Sequence, residues 1–355
     1  MKIAYLVSDY HAPSHTFVRR EIAALRRLGE TILPFGVRGD DDGSNREKRE
    51  TVPTILGQSI LSHVAAFLTQ LVGRPRTFVA TWLRALSHRP PGLRALIWSQ
   101  FHFIEAVTLA RMLRRTGAER LHSHFANSGA VVGMLAARLA DIPWSVTLHG
   151  ISETDYPAGY LLPDKLKTAS FAAIASRFMK AQAMRVTDPA IWPRFHIVRC
   201  GIDMDAMPPR SPSGTASQTG TPPRIVCVGR LSAEKGYYTL IEAIERLNRA
   251  SIHPQVTIVG DGPERGALID AANAANIVEN IKFAGALPET QTLARIAAAD
   301  MLVLPSLMEG LPVVLMEAMA IGVPVVASRV AGIPELVEHG VTGLTFTPTD
   351  AGELA

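Results

Sequence analysis

Two carboxylates and two cations in the second half of the chain have types and spacings that could hold a phosphorylated ligand. Glu309 and Glu317 lie eight residues apart within residues 305–343, PSLMEGLPVVLMEAMAIGVPVVASRVAGIPELVEHGVTG. That stretch reads as a strand end, a loop Glu309-Gly310-Leu311-Pro312, a helix, a strand, a short helix and a turn. A helix N-terminus offers unpaired N–H groups and a positive dipole end, which suit a phosphate. Pro312 is expected in the first helical turn, where its missing N–H costs nothing. A diphosphate at the loop would have Glu309 before it and Glu317 a little over two turns into the helix. Each acid could then take hydroxyls on one side of the phosphates, which is what holding a nucleotide sugar requires.

Arg230 and Lys235 sit in GRLSAEKG, directly after the apolar run RIVCV. Flanking a strand-to-helix turn, the pair could neutralise a diphosphate and stabilise it as a leaving group. A surface ion pair of Lys235 with Glu234 or Glu242 is the alternative. VGDGPERG lacks the third glycine of a dinucleotide fingerprint, so Gly260 marks either a turn that brings backbone close to a ligand or a plain strand-to-helix turn. His149 and Gly150 end the apolar run WSVTL, which places the imidazole to reach a sugar hydroxyl or phosphate unless it is structural. His122 and His124 alternate onto one side of a strand, but a zinc site needs at least a third ligand and the sequence shows none.

The elements that must position these residues alternate between strand and helix. In the first part, strands are expected at 2–8, 31–37, 120–125 and 144–148, with helices capped by Ser14 or Thr16 and at 129–140. Residues 55–115 read as mostly helical, broken at Gly73-Arg74-Pro75 and Arg89-Pro90-Pro91. Residues 206–223 are rich in Pro, Ser, Thr and Gly and read as a linker. A second alternation of strand and helix follows it. The expected architecture is therefore α/β, with a Rossmann-like domain at 1–205 and another at 224–355, and ligands at the carboxyl ends of the strands.

Composition agrees with two ordinary domains: 355 residues, 47% hydrophobic and 19% charged. Cys200 and Cys227 give no disulfide framework, which points to a reducing, cytoplasmic setting. No apolar run reaches the ~18 residues a membrane span needs. Residues 1–205 hold 26 Lys and Arg against 17 Asp and Glu, whereas the remainder holds 10 against 15. Residues 51–100 contain five Arg and no acid. That basic, apolar segment suggests peripheral contact with an anionic membrane at its inner face, or with a phosphorylated lipid; a buried helix with a solvated Arg fringe is the alternative.

The pattern Glu309-x7-Glu317 in PSLMEGLPVVLMEAMAIGVPVVAS, followed by AGIPELVEHGVTGLTF, resembles the retaining GT-B glycosyltransferases of family 4. GRLSAEKG and VGDGPE match that family's other donor-domain motifs in order and spacing. The first domain is similar more loosely, through SVTLHG, APSHTFVRREIAALRRLG, HSHFAN and VRCGIDMD; the second and third of these resemble the exopolysaccharide and colanic-acid branch.

The resemblance implies two Rossmann-like domains facing across a cleft, the first binding the acceptor and the second the nucleotide sugar. It implies that Arg230 and Lys235 bind the donor diphosphate and that Glu309 holds hydroxyls of the transferred sugar, with backbone N–H groups of Gly310 and Leu311 beside Pro312. Glu317 would bind the ribose. The base would rest on backbone around Phe283 and Gly285, near Gly260. His149 would contact the donor sugar, with His124 among the substrate-binding candidates. Where many relatives carry Gly-Gly in the first loop, this chain has SDYHAPSHT, so phosphate contact there falls to Ser14, His15 or Thr16. Relatives continue with further helices beyond TDAGELA, so C-terminal helices are expected to be missing or truncated.

The function implied is transfer of a hexose from a UDP- or GDP-linked donor to a hydroxyl of a glycan or lipid-linked acceptor, with no metal, cofactor or nucleic acid. Both carboxylates are assigned to the donor, which disfavours a two-carboxylate hydrolase. A nucleotide-sugar epimerase of the same architecture and an inactive nucleotide-sugar-binding remnant are the alternatives. A phosphorylase would need a pyridoxal phosphate lysine, and only Lys235 and Lys282 follow residue 180.

Overall fold

A computed structural model describes residues 1–12, 15–39, 50–150, 152–155, 161–211 and 222–355. The chain divides into two compact units, Met1–Cys200 and Gly201–Ala355.

The first unit is a six-stranded parallel sheet in the order β2-β1-β3-β4-β5-β6. Its strands are β1 (Lys2–Val7), β2 (Thr31–Gly36), β3 (Arg120–His124), β4 (Trp144–Leu148), β5 (Ala172–Ile174) and β6 (Phe195–Ile197). β4 is buried along its whole length, as a strand covered on both faces must be. Helix α1 (Thr16–Arg27) lays Val18 and Ile22 on Tyr5, Val7 and Ile32. The spacing of four puts these two side chains on one face, one turn apart. Its N-cap is His15 and no side chain caps it, so Thr16 is the first helical residue and not the cap; Ser14 lies outside the described residues.

The helical segment divides where Gly and Pro require. Helix α2 (Ile60–Gly73) is capped by the Ser59 hydroxyl, α3 (Pro75–Ser87) starts on Pro75, and α4 (Leu93–Thr116) stops at Gly117 in the left-handed region. These helices are buried on one face only: Ala66, Phe78 and Phe103 are buried, whereas Ile60 and Leu61 on α2 and Leu93 on α4 are exposed, as are Ile97, Trp98 and Phe101. No helix among the described residues is long and apolar enough to cross a membrane. Helices α5 (Ser128–Ala140), α6 (Ser152–Asp155), α7 (Leu162–Thr168) and α8 (Arg177–Arg185) complete the unit.

The second unit is another six-stranded parallel sheet, in the order β12-β11-β10-β7-β8-β9. Its strands are β7 (Arg224–Val228), β8 (Gln255–Val259), β9 (Ile281–Gly285), β10 (Met301–Leu304), β11 (Val325–Ser328) and β12 (Leu344–Phe346). Alternate residues feed opposite faces. Ile225, Cys227 and Val303 pack under α9 (Tyr237–Arg249) and α10 (Arg265–Ala274). Val226, Leu302 and Leu304 pack under α11 (Glu289–Ala297) and α12 (Val313–Ile321). Full burial of Leu315 on α12 contributes about 2 kcal/mol. The last helix is α13 (Ala351–Leu354). Part of the segment read as linker is packed on this unit: Met207 touches its core, and Arg210 and Ser211 hydrogen-bond the Gly322 and Ala297 carbonyls. Residues 212–221 of that segment lie outside the described residues.

Candidate active site

In the second sheet β7 leads to β8 on one side and β10 lies on the other, so the loops leaving β7 and β10 part in opposite directions. That divergence is where an open α/β sheet makes a ligand crevice. The loop after β7 carries Arg230 and Lys235, and the loop after β10 carries Glu309, Gly310 and Leu311. They are tied together by backbone: Leu307 N donates to the Glu234 carbonyl at 2.8 Å. A Cβ on Gly236 would overlap the Pro305 carbonyl, and Gly236 sits at φ +65°, so only glycine lets the two loops touch.

Lys235 Nζ donates to Glu309 Oε1 at 2.6 Å, and the Ser306 hydroxyl donates to the same oxygen at 2.7 Å. Glu309 is buried and Lys235 half-buried. The surface pair with Glu234 or Glu242 is therefore not what Lys235 makes. Glu242 pairs with Arg246, and the Glu234 carboxylate accepts from the Ser232 hydroxyl. Arg230 is exposed beside this pair.

Pro312 is the N-cap residue of α12 and not part of its first turn, so the helix begins at Val313. Glu317 consequently lies one turn into α12, not two, and is buried. No acidic side chain occupies the first turn of α12, and no side chain caps it. Leu311 is buried. Gly260 follows β8 at φ +142°, and a Cβ there would overlap the Gly229 carbonyl. The close approach its sequence suggested is thus to the loop after β7. Gly260 N also donates to the Gly285 carbonyl at 2.9 Å. Gly285 and Phe283 belong to the edge strand β9, with the Phe283 ring packed on the core.

The first unit gathers a second group. His149 follows β4, and its ring lies 4.5 Å from Phe17, 4.8 Å from Phe125 and 5.1 Å from His124, centroid to centroid. His15 joins through Phe125 at 4.9 Å, and its Nδ1 lies 2.5 Å from the Asp9 carbonyl. Both nitrogens of His149 have neighbours, His124 Nδ1 at 2.8 Å and Cys200 Sγ at 3.6 Å. His124 is buried, so it supports His149 from behind and does not present itself as a substrate-binding side chain. Burial pushes the pKa of His149 down to about 3 and that of His122 to about 4, and lowers His124 and His15 as well; all four imidazoles are neutral near pH 7.

The third partner that the sequence did not show for His122 and His124 is Glu21 on α1. The three place ligand atoms within 4.8 Å of one another. Protein groups already engage most of them: His122 meets the Ser145 and Thr147 hydroxyls at 2.7 Å each, and Glu21 accepts from Tyr5 at 2.8 Å.

Sequence reasoning also missed Glu153 and Lys165, both buried. Glu153 accepts from the backbone N–H of His149 at 2.7 Å, of Gly150 at 2.8 Å, and of Ala126. Lys165 donates to the carbonyls of Ala126 and Asn127 at 2.5 and 2.9 Å. The two thus bind the loops after β3 and β4 into one piece. The only signal for Glu153 was its position four residues after His149.

A family model described as "Glycosyl transferases group 1" matches residues 216–355. A protein of Salmonella typhimurium named as a colanic acid biosynthesis glycosyltransferase is 26% identical over all of this chain and 89% of its own length. The amylovoran biosynthesis glycosyltransferase AmsK of Erwinia amylovora is 40% identical over 38% of this chain and 34% of its own. Among solved structures, HepE of Anabaena in complex with UDP and glucose superposes with a TM-score of 0.72 at 21% identity, covering 100% of this chain and 88% of that one. Residues 216–355 are thus a group 1 glycosyltransferase domain, and the two six-stranded parallel sheets give the chain the GT-B fold.

Proposed function

We propose that this glycosyltransferase moves a hexose from a UDP- or GDP-linked donor to a hydroxyl of a glycan or lipid-linked acceptor, with retention at the anomeric carbon, in cell-surface polysaccharide synthesis. The observation that carries the reading is the Lys235–Glu309 pair where the loops after β7 and β10 part, directly before the N-terminus of α12. A donor diphosphate there meets two cations, Arg230 and Lys235, and the dipole of α12, which are the stabilising charges a departing diphosphate needs without a metal. Glu309 takes hydroxyls of the sugar with the backbone of Gly310 and Leu311, and Glu317 takes the ribose. The free edge of β9 at Phe283 and Gly285 offers backbone to the base.

The first unit binds the acceptor, and His149 meets the sugar there after giving up its weak contact with Cys200. In the reaction the bond from the anomeric carbon to the diphosphate breaks, and the acceptor oxygen bonds to that carbon on the same face. The departing phosphate oxygen takes the acceptor's proton. HepE, solved with UDP and glucose, and the polysaccharide-building names of the relatives support this reading. The enzyme works at the inner face of the membrane as a peripheral protein.

The test is incubation with a panel of nucleotide sugars, with and without lipid-linked or glycan hydroxyl acceptors. Acceptor-dependent release of nucleoside diphosphate and a product with the donor's anomeric configuration, read by NMR, are expected. Isomerisation of the donor alone would make the chain an epimerase, and binding without transfer to any acceptor would make it a remnant.

A further inference from the structure

The first unit contains a cavity of about 670 Å³ that none of the residues assigned above explains. It lies where the α3–α4 connection, the start of α5 and the start of α7 meet. Its apolar wall includes Pro90, Pro91, Leu93, Trp98, Val131 and Leu161. Its polar wall includes His88, Arg89, Arg94 and Lys165.

The polar wall is built for an anion. His88 is buried, and its Nδ1 donates to Asp164 Oδ2 at 3.1 Å, so in the neutral ring the buried Nε2 is an acceptor, and it has no hydrogen-bond partner. The buried Nε of Arg89 has none either. Two acids lie near this wall: Asp164, which Arg84 answers at 3.2 Å, and the buried Glu153, whose field acts on Lys165. Arg89 and Arg94 are left without an ion-pair partner among the described residues, whereas Lys165 has Glu153. Lys165 spends two N–H groups on the Ala126 and Asn127 carbonyls, which fixes the start of α5 at the cavity wall. Asn127 caps that helix, so its positive end adds to the same field. Two unsatisfied buried donors or acceptors cost free energy unless a ligand completes them.

The apolar wall does not close. Leu93 and Trp98 line the cavity and are also exposed, and Ile97 and Phe101 extend the apolar surface along α4. A simple anion would have no use for that surface, and a simple alkane would leave Arg89 and Arg94 without a counter-charge. We propose that the cavity binds a lipid phosphate, its phosphate on Arg89, Arg94 and Lys165 and its chain along Leu93 and Trp98 toward the exposed face of α4. That this lipid phosphate is the sugar acceptor or its anchor rests on the transfer reading above.

The experiment is calorimetric titration of the full chain with octyl phosphate, inorganic phosphate and octanol, followed by nucleotide sugars on the same sample. Octyl phosphate is expected to bind at least 10-fold more tightly than either control. Arg89→Glu combined with Arg94→Glu, both away from the fold's core, is expected to weaken it at least 10-fold while nucleotide affinity stays unchanged. Octyl phosphate binding no tighter than octanol, or no tighter than inorganic phosphate, would overturn the assignment, as would equal binding by the charge-reversed protein. If octyl phosphate binds as expected but no nucleotide sugar does, the cavity assignment stands and the transferase reading fails.

Discussion

Lys235 and Glu309 come from loops 74 residues apart in sequence and meet at 2.6 Å, so the cation and the acid proposed for the donor first neutralise each other. Removing one leaves the other in a largely buried place without its partner, which is costly. Lys235→Ala is therefore expected to lower turnover at least ~100-fold, the range for loss of a charge that stabilises a leaving group, and to lower stability as well. Adding Glu309→Gln to Lys235→Ala removes the orphaned charge. The double variant is expected to regain thermal stability without regaining activity. Recovery of turnover in the double variant would show that neither charge of the pair is needed for transfer.

Glycines in this unit separate by what surrounds them. Gly260→Ala puts a methyl into the Gly229 carbonyl at a backbone φ of +142°, and Gly236→Ala puts one into the Pro305 carbonyl. Each is expected to cost more than ~2 kcal/mol in urea unfolding, with donor affinity reduced in whatever folds, because the loops can no longer touch. Gly266 lies on α10 with nothing near its missing Cβ, and Gly266→Ala is expected to stabilise by ~0.5 kcal/mol. Equal behaviour of the three variants would contradict the packing described.

Glu153 holds His149, Gly150 and Ala126 through their backbone N–H groups. Hydrogen bonds to a charged group are worth ~1.5–3 kcal/mol each in favourable cases. Glu153→Gln can satisfy only part of this set and should lower the melting temperature. It should also raise the acceptor KM more than the donor KM, since it loosens the loop bearing His149 in the first unit. A larger effect on the donor than on the acceptor would count against the division of labour between the units.

The buried imidazoles make stability acid-sensitive. His122 is held down to about 4 and His149 to about 3 by burial, against an ordinary value of 6.5, and His124 is lowered too. The native forms stay neutral while the unfolded chain takes up protons below about pH 6.5. Stability is thus fully present above pH 6.5 and is lost as the pH falls toward 4, by ~3 kcal/mol for a single group like His122. Glu21, Glu105 and Glu153 are raised by burial, Glu105 to about 7, and act in the opposite sense, but they are fewer than the six lowered imidazoles, which include His15, His88 and His102. Urea midpoints should fall between pH 7.5 and 5, and His122→Gln should flatten that fall. A midpoint independent of pH over this range would mean the imidazoles are solvated.

What the sequence made legible followed from local rules. Strand and helix alternation, and the breaks at Gly73-Arg74-Pro75 and Arg89-Pro90-Pro91, depend on periodicity and on backbone chemistry that a sequence carries openly. Glu309, Lys235 and His149 were visible because each follows an apolar strand. Their partners were not, because pairing is tertiary: Lys235 was matched to near neighbours Glu234 or Glu242, while its partner lies 74 residues on. Glu21 beside His122 and His124 was hidden for the same reason, and Lys165 and Glu153 were missed because burial of a charge is set by tertiary packing. Pro312 was misplaced by one residue, since Pro fits both the cap and the first turn, and Glu317 lies one turn in because the helix begins at Val313 and not near Glu309.

The most direct measurement is calorimetric titration of UDP- and GDP-linked hexoses into the wild-type chain and into Glu317→Ala and Lys235→Ala. The proposed donor site requires that one of these nucleotide sugars bind and that each substitution weaken it at least ~10-fold, the loss of a charged hydrogen bond. Absence of binding across the panel, or unchanged affinity in both variants, would contradict the placement of the donor at α12.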